Sequence, residues 1–336
     1  MLIEGLSDEH YRQQLQRALD RACRGVASED SKPGKPGGGL SLSVVPLESI
    51  GSTMDFARDW RGPASAAELP RCACVWPDSV TDDGQRVDRT TLERLDAICF
   101  LAREQTQGRG REDRRWMSAR DRGIYATFLF APSCPPARLS GYSLVVGLAV
   151  QSALAKFGAN LIVKWPNDLV LLRGDGSFQK VAGILVDSTS GSGCESRIGA
   201  RGLRVCVGIG INILPMEHLP EDRPHGALQA ASISELVASP VDLFTIFAEV
   251  AEQLLRTSRE FFRSGFAPFR EEWTRRSGFV GCDVILHPLQ VSPSRAAASS
   301  GRVLGVDESG GVCLEHEGRR SIYYSGSLEL VGFPTR

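Results

Sequence analysis

The sequence predicts an α+β protein, in which a large domain of mixed strands and helices precedes a small antiparallel β-barrel. Three observations lead to this prediction. Apolar residues recur at helical spacing over 141–157 and again over 243–261, short strand-like segments lie between these helices, and after Gly278 the chain changes to short strands separated by turns. The 336 residues, of which 42% are apolar, suffice for one large domain and a smaller one.

The amino-terminal part is predicted to be one helix and a linker. From Ser7 to Arg24, apolar residues recur at helical spacing behind a cap at Ser7 or Asp8. Residues 31–39, SKPGKPGGG, follow, and their prolines and glycines indicate a flexible linker. The predicted division of the chain is a helix and linker over 1–40, the main domain over 41–276 and the small barrel over 277–336.

The main domain is predicted to contain an insertion, two helices and a β-hairpin. Residues 63–97 are rich in Pro, Asp and Arg and indicate an irregular surface excursion without functional weight. The two helices end at Gly158 and Gly265, because glycine readily takes the left-handed conformation after a last turn. The predicted strands and connections are a strand over 161–165, the turn 166–168, apolar 169–172, the loop 173–179, a strand over 181–186 and another over 204–213.

The barrel is predicted from the last sixty or so residues. Five short strand patterns, CDVILHP, GRVLGVD, GVCLEH, RSIYYSG and SLELV, follow one another with turns between them. Such spacing is typical of a small antiparallel barrel.

The composition excludes several classes of protein. The formal net charge of −1 argues against a surface built throughout for nucleic acid. No run approaches the roughly 18–20 apolar residues of a membrane-spanning helix, and the start lacks a basic region before an apolar stretch, so a cytoplasmic protein is expected. The nine scattered cysteines indicate reduced, mostly buried thiols, and their spacing predicts no structural metal.

The most unusual segment is REQTQGRGREDRRWMSARDR, residues 103–122, with seven arginines and four acids. Gly108 and Gly110 alternate with Arg109 and Arg111, so the backbone can bend closely around a ligand while guanidinium groups converge on it. A phosphate-rich ligand fits this pattern. An ordinary solvated basic loop is the alternative, favoured about two to one for an isolated GRGR, because short motifs match by chance.

Two further clusters are candidates. In the predicted hairpin, Asp168 and Lys180 are expected to face one cleft, although alone they also fit an Asx turn and an exposed strand-start lysine. The run Gly208-Ile209-Gly210-Ile211-Asn212 lacks the third glycine and the helix of a dinucleotide fingerprint, so it indicates a strand approached closely by a ligand or another backbone. Ser52 and Thr53 also fit a helix cap before Met54.

In their order along the chain, these clusters resemble the biotin protein ligase family. GSTMDFARD is similar to its Ser-Thr segment, EQTQGRGREDRRW to its biotin-binding arginine-glycine loop, KWPNDLVLL with QKVAGILVD to its most diagnostic run, and VCVGIGINI to the strand after it. Each cluster alone is a weak motif, but four in the right order favour the resemblance. It implies a mixed sheet akin to the class II aminoacyl-tRNA synthetase core, followed by a Src-homology-3-like barrel.

The resemblance also implies site residues and chemistry. It implies ATP and Mg²⁺ as cofactors, biotin as substrate and a lysine of the biotin carboxyl carrier protein as acceptor. The implied catalytic residues are Arg111, Lys180 and Asp168. The implied biotin-binding residues are Ser52, Thr53, Gln105, Arg109, Gly110, Arg111, Lys180 and Gly183. The implied ATP- and adenosine-binding residues are Gly108, Arg109, Arg111, Trp116, Asn167, Gly208, Gly210 and Asn212.

The sequence departs from the family pattern at several positions, and two other functions are alternatives to this prediction. Met54 stands where the family often has Asn, Glu112-Asp113 replace an Arg-Gly pair, and the excursion is longer than usual. Only one helix and a linker precede the main domain, so neither DNA binding nor repression is expected. The alternatives are a lipoate or octanoate ligase or transferase, and a biotin-sensing transcriptional regulator without turnover. No membrane partner is expected, and a monomer and a homodimer both remain open.

Overall fold

The computed structural model describes residues 7–25, 40–60, 72–76, 96–112, 114–190, 202–216, 228–288 and 298–332. The predicted linker 31–39, most of the excursion 63–97 and Asp113 lie outside these residues.

A mixed sheet forms the main body. Its strands are β1 (Leu40–Ile50), β2 (Cys72–Trp76), β3 (Ala97–Gln105), β4 (Gly123–Phe130), β5 (Ile162–Lys164), β6 (Asp168–Leu172), β7 (Phe178–Thr189), β8 (Arg204–Asn212) and β9 (Gln229–Ala230). Their order in the described part is β2-β1-β3-β4-β8-β7-β6-β5, with β9 beside the start of β7. The β1–β3 and β7–β9 pairs are parallel and the others antiparallel.

The helices cover both faces of this sheet. They are α1 (Asp8–Gly25), α2 (Thr53–Asp59), α3 (Tyr142–Ala155), α4 (Leu243–Ser264) and α5 (Arg270–Arg276). The first, third and fourth helices confirm the helical patterns, and Gly265 follows the last residue of α4 as predicted. The predicted cap of α2 is present, because the Ser52 hydroxyl accepts the Asp55 N–H at 3.4 Å.

The hairpin differs slightly from the prediction. The second strand, β7, begins at Phe178 rather than at Val181, so Lys180 lies inside the strand and not at its entrance. The extension has a packing reason, since the Phe178 ring stacks on Phe279 with centroids 4.9 Å apart. The excursion was expected to be irregular, yet its residues 72–76 form β2 and pair antiparallel with β1.

Alternation along the central strands separates two cores. In β3, Cys99 and Leu101 face the main core beneath α1, α3 and α4, whereas Ile98 and Phe100 join a smaller cluster beneath α2. This is the period of two expected for strands buried on both faces. The α2 face is the one on which the cleft described below opens.

The carboxyl-terminal strands form a five-stranded antiparallel sheet in the order β13-β12-β11-β10-β14. They are β10 (Asp283–His287), β11 (Ser299–Val306), β12 (Val312–His316), β13 (Arg319–Tyr323) and β14 (Ser327–Gly332). This confirms the predicted change of fold after Gly278. The sheet contacts the main body, since the Trp165 indole N–H donates to the Gly310 carbonyl at 3.1 Å. The exact division into domains stays a prediction.

Candidate active site

A cleft opens on the α2 face, where small side chains replace the apolar cluster. In β8, Cys206 packs in that cluster, and Gly208 and Gly210 lie on the same face two and four residues later. In β4, Leu129 belongs to the cluster, and Thr127, two residues before it, lies on the same side. The strands therefore leave a polar hollow beside α2.

One end of the cleft is a network of neutral hydrogen-bonding groups. The Gln105 side-chain oxygen accepts from the Thr53 N–H at 2.8 Å and from its hydroxyl at 3.0 Å. The Thr53 hydroxyl shares a further hydrogen bond with Thr127 at 2.8 Å, and the Gln105 amide donates to Ser118 at 2.9 Å. Because Thr53 and Thr127 are buried, these partners fix the orientation of the amide.

The arginine-glycine segment folds back on itself over the cleft. Two backbone hydrogen bonds join its two sides. The Trp116 N–H donates to the Gly108 carbonyl at 2.8 Å, and the Gly110 N–H donates to the Arg114 carbonyl at 2.7 Å. Arg109 pairs with Asp55 of α2 at 2.6 Å. This segment, residues 103–122 apart from Asp113, is called the arm below. It places guanidinium groups at the mouth of the cleft.

Arg111 reaches from this arm into the interior. Its guanidinium donates to the Asn167 side-chain oxygen and to the Gly326 carbonyl, each at 3.2 Å. Burial lowers the pKa of Arg111, although a guanidinium keeps its charge at physiological pH. Both of these partners are neutral, and in the described ranges Arg111 has no hydrogen bond to a carboxylate, so its charge is available to an anionic ligand.

The other end of the cleft holds two lysines and one aspartate. Lys180 Nζ lies 2.6 Å from Asp168 Oδ1, which confirms that these two residues face one cleft. Lys164 lies opposite Asp168 in the β5–β6 register and is 5% exposed. Burial acts to raise the pKa of Asp168, but Lys180, Lys164 and Arg111 hold it below its ordinary value, so the carboxylate is ionised.

The strand glycines make room for an aromatic ring. A Cβ at Gly210 would lie 2.4 Å from the Trp116 ring, and one at Gly183 would lie 2.8 Å from it. Lys180 Nζ lies 5.2 Å from the centroid of the same ring. The close neighbour that the glycines indicated is therefore Trp116.

The structure brings nearly all of the predicted site residues together. The cleft is lined by Ser52, Thr53, Gln105, Arg109, Gly110, Arg111, Trp116, Asn167, Asp168, Lys180, Gly183, Gly208 and Gly210. Gly108 and Asn212 are not among the lining residues. Gly108 lies in the arm, and the Asn212 amide donates to the Ala231 carbonyl at 3.1 Å, a contact that connects β8 to the residue after β9. The individual roles stay predictions.

Thr127, Lys164 and Ser327 are polar lining residues that the sequence analysis did not assign to the site. Lys164 ends an otherwise apolar strand, and Thr127 interrupts the apolar run of β4, so a polar residue within a buried strand was the available indication. Ser327 comes from the carboxyl-terminal sheet, and nothing in its local sequence connects it with the cleft.

The described residues contain no cluster of three or more His, Cys, Asp or Glu side chains that could hold a metal ion. The five cysteines with described side chains are free thiols, and all but Cys313 are buried. None of the described helices combines the length and apolarity needed to cross a membrane.

Comparisons with known proteins agree with this architecture. Residues 93–212 match the model of the biotin/lipoate A/B protein ligase family. The chain is 32% identical over 259 residues to the biotin–[acetyl-CoA-carboxylase] ligase of Paracoccus denitrificans, which covers 74% of this chain and 99% of the relative. It is 30% identical over 255 residues to the bifunctional ligase/repressor BirA of Escherichia coli (strain K12), covering 73% and 72% of the two chains.

Among solved structures, the chain resembles the biotin protein ligase from Aquifex aeolicus in complex with biotin and ATP. The TM-score is 0.58 at 22% identity, and the match covers 86% of this chain and 98% of the other. This likeness supports the fold.

Proposed function

The chain belongs to the biotin protein ligase family and is an enzyme of the biotin–[acetyl-CoA-carboxylase] ligase type, and from this premise we propose its two-step reaction. Biotin and ATP first form biotinyl-5′-AMP and pyrophosphate. The biotinyl group then passes to a lysine of the biotin carboxyl carrier protein of a biotin-dependent carboxylase.

The observation that supports this proposal best is the polarity of the cleft. Its neutral end, at Thr53, Gln105 and Thr127, suits a ureido group with both donors and acceptors. Its other end places Arg111 and Lys180 around the carboxylate of Asp168. One elongated ligand with a neutral head and an anionic tail satisfies both ends.

In the first step, a carboxylate oxygen of biotin attacks the α-phosphorus of ATP. A new oxygen–phosphorus bond forms, the bond to the oxygen of the β-phosphate breaks, and pyrophosphate leaves. The reaction brings two anions together and builds charge at the phosphorus. Lys180 and Arg111 offset that repulsion by donating to the carboxylate and the α-phosphate, as preorganised cations in a site shielded from water.

In the second step, the ε-amine nitrogen of the acceptor lysine attacks the acyl carbon of the adenylate. The new carbon–nitrogen bond replaces the carbon–oxygen bond to AMP, and AMP leaves with that oxygen. Asp168, held ionised among its cations, accepts a hydrogen bond from the amine and takes the proton that the amine loses. Arg109, Gly110 and Arg111 close over the adenylate and keep water from it.

We propose that the nucleotide lies against the glycine-rich strands. Trp116, which lies against Gly210, and Asn167 line the same cleft as Gly208 and would contact the adenosine. Gly108 would support this contact through the arm, and Asn212 through the strand connection described above. Since the described residues offer no cluster of metal ligands, Mg²⁺ would arrive on the phosphates of ATP.

The test is incubation with labelled biotin, ATP and the isolated carrier domain. Label should appear on the carrier only when ATP is present, and a carrier whose acceptor lysine is replaced by arginine serves as the control. Lipoate or octanoate replacing biotin as the better substrate would assign the chain to the sister activity. ATP-independent binding of labelled biotin with specific retardation of promoter DNA would instead assign a regulator. The consumption of ATP and the free thiols fit a cytoplasmic enzyme.

A further inference from the structure

We infer that Lys164 is a positioning residue: it is the second counter-ion of Asp168 and keeps this carboxylate ionised after Lys180 has turned to the bound ligand. The inference rests on the proposed function and deepens it. It assigns a role to a lysine that stands just before the Trp165-Pro166-Asn167-Asp168 turn.

Lys164 is an unusual buried lysine, because burial lowers its pKa while the neighbouring Asp168 carboxylate acts to keep its ammonium charged. It is 5% exposed, it lines the cleft, and among the described residues its ammonium has no hydrogen-bond or ion-pair partner. Val163 belongs to the main core, so alternation directs Lys164 to the cleft face. A buried, unpaired ammonium is costly for folding, and in a native protein it calls for a ligand or a catalytic reason.

Lys180 cannot serve Asp168 and the ligand equally. In the free protein its ammonium lies 2.6 Å from Asp168, while the proposed first step needs the same ammonium on the biotin carboxylate and the α-phosphate. When Lys180 turns toward that anion, Asp168, which is only 16% exposed, loses its closest counter-charge. It also gains a negative phosphate as a neighbour.

The remaining charges around Asp168 decide its protonation. Three cations face it, from three elements: Lys180 of β7, Lys164 of β5 and Arg111 of the arm. Arg111 is already held by Asn167 and by the Gly326 carbonyl. Lys164 lies opposite Asp168 in the strand register, so it is the cation that remains available. Burial alone would raise the pKa of Asp168, and the charge of Lys164 opposes that rise. Asp168 therefore stays ionised at neutral pH and can accept the proton of the amine.

The test uses Lys164→Met in the full-length enzyme, with Lys156→Met, at an exposed lysine away from the cleft, as the matched control. Each enzyme is loaded with biotinyl-5′-AMP, and single-turnover transfer to the carrier domain is followed against pH. We expect Lys164→Met to slow transfer about tenfold or more at neutral pH and to move the acidic limb of its profile upward by at least about one pH unit. The sign follows because Asp168 with fewer cations protonates at higher pH.

Two readouts separate positioning from a structural role. Transfer to hydroxylamine, an amine that is largely neutral at neutral pH, should remain within about twofold of wild type. The melting temperature should stay close to that of wild type, because the substitution removes the cost of burying the ammonium together with its attraction to Asp168. An unchanged acidic limb would overturn the inference, and so would a large fall in melting temperature, which indicates a structural role.

A double-mutant cycle with Asp168→Asn closes the test. If Lys164 acts through Asp168, Lys164→Met should change transfer less than about twofold in the Asp168→Asn background. A full additional loss there would refute it. The proposed function fails separately, because wild-type enzyme would then form no adenylate or transfer none, whatever the variants do.

Discussion

One buried arginine lies at the base of the arginine-glycine arm and three cations lie in the cleft, and the two groups are paired in opposite ways. At the base of the arm, Arg103 is 2% exposed and bonds both oxygens of the buried Asp121 at 2.8 and 2.6 Å. Glu48 accepts a further bond at 3.0 Å, and the Tyr11 ring of α1 lies 5.0 Å from the guanidinium. In the cleft, three cations surround the carboxylate of Asp168.

The difference separates structure from binding. The charge of Arg103 is fully compensated by the fold, so this cluster joins α1 to the two ends of the arm whether or not a ligand is present. The cleft carries a surplus of positive charge that the fold leaves uncompensated, and a surplus of this kind favours an anion from outside. The predictions below break one group or the other, in order of decreasing effect.

The largest effect is expected from breaking the buried ion pair of Arg103 and Asp121. Arg103→Met leaves Asp121 buried without its partner, which should lower the free energy of unfolding by about 3–5 kcal/mol. Urea denaturation measures this loss, with the exposed Arg319→Met as the control. Adenylation per folded molecule should change little, and a stable variant would show that the pair is not structural.

Lys180→Met should impair adenylation strongly and stability only a little. The first step loses a preorganised cation, so pyrophosphate release should slow by about 10²–10³-fold. Stability should change less than in Arg103→Met, because Lys164 and Arg111 still face Asp168. Stopped-flow measurement of pyrophosphate decides the matter, and normal turnover with weakened ATP binding would contradict the proposed role.

Gly210→Ala probes the surface that supports the cleft. The new Cβ would meet Trp116 at 2.4 Å, so the ring must move, at a cost of about 1–3 kcal/mol. We expect a change in tryptophan fluorescence and weaker ATP binding by titration calorimetry. Gly174→Ala, which meets nothing within 4 Å, is the matched control. Equal affinities in the two variants would exclude a role of the ring in binding.

The smallest effect is expected at the rim. Arg109 and Asp55 are each 38% exposed, so Arg109→Gln should change stability by less than about 1 kcal/mol, and even less in high salt. Denaturation at two salt concentrations measures both. A loss comparable to that of Arg103→Met would mean that rim and base are not distinct.

Sequence patterns anticipated the site wherever its residues are close along the chain. The hairpin of Asp168 and Lys180, the cap at Ser52 and the glycine strand each depend on local periodicity and turn chemistry. Strands β1, β3 and β4 were not assigned. The first six residues of β3 and most of β4 are apolar and carry no period that separates a strand from a helix, and the alternation LSLS at the start of β1 is too short to decide.

Contacts between residues far apart in the sequence could not be predicted either. Trp116 fills the space above Gly210, Arg103 pairs with Asp121, and Lys164 has no hydrogen-bond or ion-pair partner within the described part of the chain. These are outcomes of packing between distant segments. The local sequence around each residue is compatible with several such outcomes. Only the assembled sheet decides among them.

The bond from Arg111 to the Gly326 carbonyl has a consequence for how this enzyme would be dissected. The acceptor is main chain, so side-chain truncations elsewhere in the carboxyl-terminal sheet leave it in place. An alanine scan would disturb this contact only at Gly326 itself, where φ is +133° and a Cβ would lie 2.7 Å from the His287 carbonyl. Removing or rerouting the backbone there, by shortening the turn before β14, is what would release Arg111 and disclose how far the second sheet governs the catalytic cleft.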